Sequence, residues 1–415
     1  MRYSIVTFGC RVNQADSLRL EEELRGRGGT PSAAADADVV IVNTCSVTAT
    51  ADQGARQTIR RIARDNPSSR IMVTGCYATR CGDELAALPN VVKVVRNDDK
   101  DRLVDALVER SMSGDGPCGA ALEPGIAGRT AYTLRVQTGC DEACAYCIIP
   151  STRGSGRSVP LPAVVGEVQR VAASGFKEII LTGVHLGSYG RDLSPPVGLI
   201  DLLGALGRIE ADVVFRVSSL EPMDCSAAMV DLMASSAGRF APHFHLPLQH
   251  ASDRLLLLMR RPYTLDYYRA LIDSIRDRLP HASIGSDMIV GFPGETDGDF
   301  AANLEYLPSS PLTHLHVFPY SDRPGTAATA MRGKVGGAVT RQRGMELRAI
   351  GAALTRRFHT AQCGTVRPGL TLEDGTLVVT DNYLKVRVPA GLPRNQRVNV
   401  RLVAVAGTLG GELVA

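Results

Sequence analysis

Short β-branched apolar runs recur along the first part of the chain, separated by longer amphipathic stretches. The runs lie at 3–8 (YSIVTF), 38–44 (DVVIVNT) and 70–75 (RIMVTG), and the segments between them have helical patterns. Because strands that alternate with helices are typical of β/α units, the pattern predicts an α/β domain built on a parallel sheet. We expect this domain to span residues 1–112.

The same alternation resumes after a break rich in glycine, proline and serine. The break, at residues 113–130, has no hydrophobic period and therefore predicts a linker. Strand-like runs then follow at 132–137, 178–182, 213–218, 243–248, 283–290 and 314–318. These β/α repeats predict a partial (β/α)6 barrel over residues 131–345.

The last part of the chain changes its pattern once more. Residues 346–362 belong to an arginine-rich helical stretch that predicts a connecting helix. Over residues 363–415, short valine-rich runs are split by Gly, Pro and Asp, which predicts a small antiparallel β-barrel. The overall expectation is an α/β protein of three domains.

Composition narrows the possible functions. The 415 residues include 46 Lys and Arg against 43 Asp and Glu, so contact with a polyanion requires local clusters of basic residues. The start, MRYSIVTFGC, does not resemble a signal peptide, and the sequence has no run of about 18 apolar residues, so we expect a cytoplasmic protein without membrane association. In a reducing compartment, the 10 cysteines favour a metal or redox role over disulfides.

Three cysteines form a compact motif directly after the first predicted barrel strand. Cys140, Cys144 and Cys147 have the spacing C-x3-C-x2-C, and we call them the loop triad. Three thiolates can hold three corners of a four-iron cluster, whose usual complement is four cysteines, and one iron then stays open, as catalysis requires. The alternative is a zinc half-site at Cys144 and Cys147, although the sequence has no second pair at zinc spacing.

Three further cysteines are far apart in sequence but share a position. Cys10, Cys45 and Cys76, the dispersed triad, each follow the end of a predicted strand. The carboxyl ends of parallel strands meet at one edge of a sheet, so these thiols are expected to converge on a second three-thiolate site. The alternative is three buried small hydrophobic residues. The remaining cysteines have no such pattern: Cys81, Cys118, Cys225 and Cys363.

With both triads in view, nearly all of the chain resembles the methylthiotransferases, a branch of the radical S-adenosylmethionine enzymes. The resemblance implies an N-terminal domain and a central barrel, each carrying a 4Fe-4S cluster, and a C-terminal TRAM barrel that binds RNA. In this family the loop triad binds the cluster that chelates S-adenosylmethionine and cleaves it to a 5′-deoxyadenosyl radical. The dispersed triad binds an auxiliary cluster, from which a methylated sulfur is delivered.

Other segments resemble those that contact S-adenosylmethionine in the family. Tyr146 stands where the family places an aromatic ring against adenine, and LTGVHLGSYG resembles the segment at the methionine end. RVSSLEP resembles the strand whose end reaches the ribose, and HLPLQHASD follows a later strand, with Gln249 expected to face the site. A plain β/α turn explains LTGVHLGSYG equally well, and a structural role is favoured for His250. The resemblance assigns cofactor binding to Tyr146, Thr182, Gly183, Val184, Ser219, Glu221 and Gln249.

Local sequence also indicates the acceptor. FGCRVNQADS, TGVHLGSYG and HVFPYSDRPGTAA resemble the branch that converts N6-threonylcarbamoyladenosine (t6A) at position 37 of tRNA to its 2-methylthio derivative. Alternative acceptors are isopentenyladenosine at the same position and an aspartate of a ribosomal protein. From other classes, an iron–sulfur RNA-binding protein without turnover and a zinc-stabilised structural protein stay open.

Two basic regions are candidates for contact with RNA. Arg56, Arg60 and Arg64 recur every fourth residue on the predicted helix after Cys45, which gives one stripe able to contact phosphates, although a solvated helix face explains it too. TDNYLKVRV resembles a TRAM strand, where Tyr383 is a candidate for base stacking and Lys385 for phosphate contact. For Tyr383, the alternative is a tyrosine of the barrel core or rim.

The substrate and partners follow from the same resemblance. Arg153 and Arg157, after the loop triad, are candidate partners for the threonylcarbamoyl carboxylate because a guanidinium matches its two oxygens, whereas solvated loop arginines are the alternative. The expected partners are the anticodon stem-loop of tRNA and an electron donor such as flavodoxin or ferredoxin. The resemblance does not specify a sulfur donor.

Overall fold

A parallel sheet forms the first domain. The computed structural model describes residues 1–108, 123–125, 129–405 and 408–414, so Cys118 and most of the predicted linker lie outside the described residues. The sheet has the order β2-β1-β3-β4-β5, and all neighbours are parallel. Its strands are β1 (Arg2–Thr7), β2 (Thr30–Pro31), β3 (Val39–Thr44), β4 (Arg70–Gly75) and β5 (Val91–Val95).

Helices cover both faces of this sheet, because its central strand is apolar on both sides. Every residue of β3 is buried, with Val40 and Val42 in one core cluster and Val39 and Ile41 in the other. Such a continuous apolar run is expected in a parallel sheet. The helices are α1 (Arg11–Gly26), α2 (Ala49–Asp65), α3 (Cys76–Arg80), α4 (Gly82–Ala86) and α5 (Asp105–Val108).

Six parallel strands form the predicted partial barrel. They lie in chain order, as two three-stranded sheets joined by a parallel bridge between Phe215 and Phe240. A short antiparallel pair of strands, β7 (Gln137–Thr138) and β8 (Arg157–Ser158), flanks the first strand. The barrel strands are β6 (Tyr132–Arg135), β9 (Glu178–Thr182), β10 (Val214–Val217), β11 (His243–His245), β12 (Ser283–Val290) and β13 (His314–Pro319).

The barrel helices begin at side-chain caps that the sequence provides. Ser226, Ser252, Thr264 and Thr296 each accept a hydrogen bond from a backbone N–H of the following turn. Among the described residues, every helix is too short or too polar to cross a bilayer. The helices are α6 (Ile149–Arg153), α7 (Leu161–Ala173), α8 (Leu199–Gly207), α9 (Ala227–Ser235), α10 (Asp253–Leu258), α11 (Leu265–Arg278), α12 (Asp297–Tyr306) and α13 (Gly337–Gln362).

The long helix α13 crosses a predicted domain boundary. It begins at Gly337 and not at residue 346, and Leu347 and Leu354 pack in the barrel core. The helix is therefore part of the barrel wall for most of its length. The other predicted domain limits stay predictions.

The chain ends in an antiparallel sheet, as its valine-rich pattern predicted. The order is β16-β15-β14-β17-β18. Residues Val378, Val386 and Val400 form its buried core, together with Phe358 from α13. The strands are β14 (Val366–Leu372), β15 (Leu377–Thr380), β16 (Lys385–Arg387), β17 (Arg397–Val405) and β18 (Thr408–Val414).

Tyr383 joins this sheet to the barrel and to the first domain. Its ring lies 4.6 Å from that of His243 and under the guanidinium of Arg216, 4.8 Å from the ring centre. Arg216 is fully buried, binds Glu178 at 2.8 Å and donates to the carbonyl of Asp381. Arg11 of α1 donates to the Tyr383 hydroxyl at 3.0 Å. The C-terminal sheet is therefore fixed against the barrel interior.

A buried carboxylate joins the first domain to the barrel. Asp16, on α1, is 1% exposed and binds Lys100 at 2.9 Å, Arg153 at 3.1 Å and Arg135. We call these four residues the Asp16 cluster. Arg135 ends β6 and Arg153 ends α6, so two cations come from the barrel. The pKa of Asp16 is held well below its usual range because these cations outweigh the effect of burial.

A second carboxylate repeats this arrangement. Asp52, on α2, binds Arg80 of the first domain at 2.5 Å and Arg323, from the loop after β13, at 2.6 Å. Ser46 donates to the other oxygen of Asp52 at 2.8 Å. We call Asp52, Arg80 and Arg323 the Asp52 cluster. Two ion-pair clusters therefore fix the domain on the barrel.

Removing the carboxylate of Asp16 should be far more destabilising than removing an exposed one. Asp16→Asn leaves three cations without their partner, and breaking a buried ion pair costs about 3–5 kcal/mol. Asp101→Asn is the matched control, because Asp101 binds Arg19 but is 63% exposed, and we expect a loss below about 1 kcal/mol. The measurement is the free energy of unfolding in urea, and equal losses would contradict the role given to Asp16.

Two glycines with similar backbone angles should differ in their tolerance of alanine. Gly190 has φ +80°, and a Cβ there would lie 1.7 Å from the carbonyl oxygen of Val197. Gly175 has φ +91° but no atom within 4 Å of such a Cβ. Both substitutions cost about 1–2 kcal/mol for the left-handed conformation, and Gly190→Ala adds overlap of about 1–3 kcal/mol. The measurement is the midpoint temperature of thermal unfolding. An equal decrease in both variants would contradict the predicted overlap at Gly190.

Candidate functional site

The loop triad lies at the carboxyl edge of the barrel. Cys140, Cys144 and Cys147 follow β7, and the loop is fixed by a hydrogen bond from the Cys140 N–H to the Gly154 carbonyl at 3.0 Å. Gly139 before them has φ +72°, and a Cβ there would lie 1.9 Å from a backbone oxygen. The turn therefore requires glycine, and it brings the three thiols together on one loop.

Burial keeps the Cys147 thiol in its neutral form unless a metal ion binds it. Together with the charges of Cys144 and Cys140, burial raises the pKa of Cys147 to about 12. A thiol in such surroundings ionises when a metal ion takes the place of its proton. The chemistry of the three donors therefore fits a metal cluster.

Two polar side chains that the sequence did not single out touch these thiols. Arg261 donates to the Cys144 sulfur at 3.1 Å and also binds Glu221. His185 lies 3.8 Å from the Cys140 sulfur and 2.7 Å from Asp224. His185 is inside the LTGVHLGSYG segment, whereas Arg261 and Asp224 reach the site only through the fold.

The His185 imidazole is held in its charged form. Burial opposes the charge, but hydrogen bonds to Asp224 and Cys140 raise the pKa of His185 to about 9. Arg261 and His185 thus place two positive groups against the sulfurs of the loop triad. Hydrogen bonds and charges of this kind tune iron–sulfur clusters.

The predicted cofactor residues lie at the carboxyl ends of successive barrel strands. Thr182 ends β9 and Gly183 follows it, and the Thr182 hydroxyl lies 3.2 Å from that of Ser218. Val184 follows them and is partly exposed. Ser219 is exposed beyond β10 and contacts His245 at 2.9 Å, while Glu221 is bound by Arg261. The fold therefore brings this set to the same edge as the loop triad.

A cavity of about 190 Å³ lies between this edge and the first domain. On the barrel side, Gln249 has φ +70° and pairs with β12 through its backbone. The ring of Tyr146 packs edge-on against Phe292, which packs edge-on against Tyr320. The cavity is lined by Val47, Thr48, Tyr146, Cys147, Ile148, Ile149, Gln249, Asp287, Ile289, Phe318, Pro319, Tyr320 and Ser321.

A polar cluster unforeseen from the sequence borders the cavity. Asp287 of β12 contacts His245 of β11 at 2.9 Å and His316 of β13 at 3.2 Å. Burial raises the pKa of Asp287, but the hydrogen bonds from both histidines lower it to about 2. Each side chain comes from a different strand: Asp287 pairs with His316, and His245 pairs with Gly285, two residues before Asp287. Only the register of the strands therefore brings the three side chains together on one face.

The dispersed triad lies on the first domain, where Val47 and Thr48, just after Cys45, line the cavity. Cys45 directly follows β3, Cys76 directly follows β4, and Cys10 precedes α1, on three neighbouring strands. A Cβ on Gly9 would lie 2.6 Å from the Cys45 sulfur, so glycine lets the Cys10 loop approach Cys45. Burial, followed by the charges of Cys10 and Cys76, raises the pKa of Cys45 to about 12. The three thiols therefore converge, as expected from the sheet edge.

Polar atoms around the dispersed triad lack partners among the described residues. Asn97 donates to the Cys76 sulfur at 3.6 Å and to the Thr152 carbonyl at 2.9 Å, but its Oδ1 is buried without a hydrogen bond. The Nε of Arg153 is buried without an acceptor as well. The free Arg153 donor on this side of the triad fits an anionic cluster with sulfur atoms that accept hydrogen bonds, whereas the Asn97 oxygen is an acceptor and needs a donor from another group.

Arg153 is not the carboxylate partner that the sequence predicted. Its guanidinium is 3% exposed and binds Asp16 at 3.1 Å and Asn13 at 2.5 Å, so it offers no free pair of donors to a substrate. Arg157 is 58% exposed and pairs loosely with Asp98 at 3.2 Å. Only Arg157 of this pair is accessible.

The candidate RNA-contacting residues are also unequal. Arg56 turns inward to the Tyr77 hydroxyl and to Glu84, whereas Arg60 is exposed on α2 together with Arg61 and Arg64. Tyr383 is partly covered by Arg216 and His243, and Lys385 is exposed on β16. His250 is fully buried and bonded to Asn303 at 3.0 Å, which suits a structural histidine.

Two known families match consecutive parts of the chain. Residues 2–96 match the family described as uncharacterized protein family UPF0004, and residues 134–307 match the Radical SAM superfamily. These ranges contain the dispersed triad and the loop triad, respectively.

Curated relatives match nearly the whole chain. A threonylcarbamoyladenosine tRNA methylthiotransferase, MtaB, of Aquifex aeolicus is 35% identical over 93% of this chain and 96% of its own length. The MtaB of Bacillus subtilis is 33% identical over 92% of this chain and 88% of its own. A tRNA-2-methylthio-N6-dimethylallyladenosine synthase of a Parafrankia species is also 33% identical, over 87% and 76%.

Solved structures share the fold. The radical S-adenosylmethionine methyltransferase TsrM of Kitasatospora setae aligns with a TM-score of 0.56 at 16% identity, over 79% of this chain and 76% of TsrM. The cobalamin-dependent radical enzyme OxsB aligns with a TM-score of 0.52 at 11% identity, over 81% of this chain and 57% of OxsB. With these folds and with curated relatives above 30% identity over most of its length, the chain belongs to the radical S-adenosylmethionine methylthiotransferase family.

Proposed function

We propose that the protein converts t6A at position 37 of tRNA to 2-methylthio-t6A, using S-adenosylmethionine and two 4Fe-4S clusters. The observation that carries this proposal is the placement of two three-thiol sites at facing edges of the barrel and the first domain, where Cys147 of the loop triad and Val47, two residues after Cys45, line one cavity. A nucleobase in this cavity would lie between the two domains that carry the thiols. An enzyme that used only one cluster would not require the second three-thiol site.

The loop triad and the dispersed triad would each hold one cluster. When bound, the clusters supply the electron that cleaves S-adenosylmethionine and the sulfur that is transferred. Each triad leaves one corner of a cluster without a cysteine, which is the open position that such chemistry needs.

The remaining residues would bind and orient the small molecules. Tyr146, packed against Phe292, offers an aromatic face for adenine on the cavity wall. Ser219, Glu221 and Gln249 offer polar atoms at the strand ends, with Thr182, Gly183 and Val184 as backbone partners. The mostly apolar cavity wall excludes water from the reacting atoms.

The tRNA would approach from the first domain and the C-terminal sheet. The helix α2 begins at Ala49, next to its N-cap Thr48 on the cavity wall, and carries the exposed Arg60 away from it. Lys385, on the C-terminal sheet, supplies a second exposed cation. Arg157 would contact the substrate, and the edge of Tyr383 would offer a stacking surface. The electron donor would be flavodoxin or ferredoxin, and the reaction would take place in the cytoplasm.

The choice of t6A rests on segments that form the cavity. Curated relatives that act on t6A and on dimethylallyladenosine are similarly close, at 35% and 33% identity, so overall identity does not decide the acceptor. HVFPYSDRPGTAA resembles the t6A branch, and its residues 318–321 form part of the cavity wall. His316 of the same segment contacts Asp287 beside the cavity.

Nucleoside mass spectrometry should identify the acceptor. After anaerobic incubation of the reconstituted protein with S-adenosylmethionine, dithionite and sulfide, t6A in tRNA should gain one methylthio group in place of hydrogen. A matched tRNA with dimethylallyladenosine at position 37 should stay unmodified. Modification of only that second tRNA would overturn the acceptor, and a failure to form 5′-deoxyadenosine would overturn the enzyme proposal.

Cysteine variants should separate the two triads. Cys144→Ala should abolish 5′-deoxyadenosine formation and remove about four iron atoms per chain. Cys45→Ala should also lose about four iron atoms but continue to form 5′-deoxyadenosine without the methylthio product. Cys363→Ala is the matched control, since this exposed thiol lies outside both triads. Retention of methylthio transfer in Cys45→Ala would contradict the second cluster.

A further inference from the structure

The Asp16 cluster contains more positive charge than its carboxylate can balance. Lys100, Arg135 and Arg153 all bind the single carboxylate of Asp16, which leaves two positive charges uncompensated. Lys100 is 4% exposed and Arg153 is 3% exposed, so water screens neither of them well. Buried charges of this kind require an anion nearby.

The thiols of the dispersed triad lie next to this excess charge. Arg153 directly follows Thr152, whose carbonyl accepts a hydrogen bond from Asn97, and Asn97 also donates to the Cys76 sulfur at 3.6 Å. Lys100 donates at 3.2 Å to Asn43, two residues before Cys45. Burial opposes the charge of both cations and lowers the pKa of Lys100, whereas Asp16 favours the charged form of each and holds the pKa of Arg153 above its usual range. The Nε of Arg153 has no acceptor among the described residues, so one donor remains available on this side.

The Asp52 cluster adds charge of the same sign. Arg80 and Arg323 share the carboxylate of Asp52, which leaves one further positive charge in this cluster. The Nε of Arg323 is likewise buried without an acceptor among the described residues. Both clusters between the first domain and the barrel therefore carry more positive than negative charge, whereas ordinary ion pairs would balance.

We propose that the buried cations of the Asp16 cluster set the reduction potential of the auxiliary cluster held by the dispersed triad. One-electron reduction adds a negative charge at the triad while no bond to a substrate forms or breaks. Uncompensated cations nearby stabilise that added charge and so raise the potential. This inference rests on the second cluster of the proposed function.

Lys100 carries the sharpest test. In full-length protein with all three cysteines of the loop triad changed to alanine, only the dispersed triad would hold iron. Lys100→Met in this background removes one buried charge, while Asp16 keeps Arg135 and Arg153. Anaerobic redox titration with dithionite, followed by EPR of the reduced cluster, should show a lower midpoint potential than in the parent.

Arg19→Met is the matched control for the change in net charge. Arg19 lies on the same helix as Asp16 but is 45% exposed and is bound by Glu23 and Asp101. We expect its titration to coincide with that of the parent. Arg135→Met, with a side chain that is 23% exposed, should lower the potential in the same direction by less, and it decides the outcome if Lys100→Met does not fold.

The outcomes distinguish this inference from the proposed function. A parent protein without a four-iron cluster would overturn the second cluster and, with it, the inference. A parent with a cluster, and Lys100→Met or Arg135→Met titrating at the parent potential, would overturn only the inference. An equal shift in Arg19→Met would also overturn it, because the effect would then follow net charge and not the buried site.

Discussion

One buried carboxylate determines how the two cysteine sites face each other. Asp16 binds a cation of its own domain and two of the barrel, and one of these, Arg153, ends the short helix that follows the loop triad. Buried ion pairs contribute little net stability compared with apolar packing, but only one geometry satisfies them. The Asp16 cluster therefore specifies the relative position of domain and barrel more than it stabilises either. Asn97 reinforces it by contacting Cys76 and the Thr152 carbonyl.

That constraint acts on two sheets whose strands are all parallel. In both the first domain and the barrel, parallel strands deliver their carboxyl ends, and hence their loops, to one edge. Docking edge to edge creates the cavity, with Cys147 of the loop triad on its barrel wall and Val47 and Thr48, next to Cys45, on the wall of the first domain. The aromatic rings of Tyr146, Phe292 and Tyr320 then cover the barrel side, so the cavity is mostly apolar. Fold and chemistry are thus connected by the direction of the strands.

The sequence predicted what depends on local pattern. The central strands were recognisable because β3 is apolar throughout, and the position of Cys45 and Cys76 at strand ends followed directly. The edge strand β5 was not predicted, because its sequence, VVKVV, is half exposed and contains a lysine. Arg153 was misassigned because its partners are 137 and 140 residues away in sequence. The pairing of His185 with Asp224 was invisible for the same reason, since only packing brings the two strand ends together.

Overall similarity does not determine the acceptor, since relatives named for two different adenosines are 35% and 33% identical to this chain. Under the proposed function, discrimination would come from side chains that contact the N6 substituent beside the cavity. The loop after β13 supplies the wall from Phe318 to Ser321, and the strand before it supplies His316 against Asp287. Because that loop also carries Arg323, which binds Asp52 of the first domain, its position is fixed by the contact that closes the cavity. Under the proposed function, acceptor recognition and domain docking would therefore depend on the same segment.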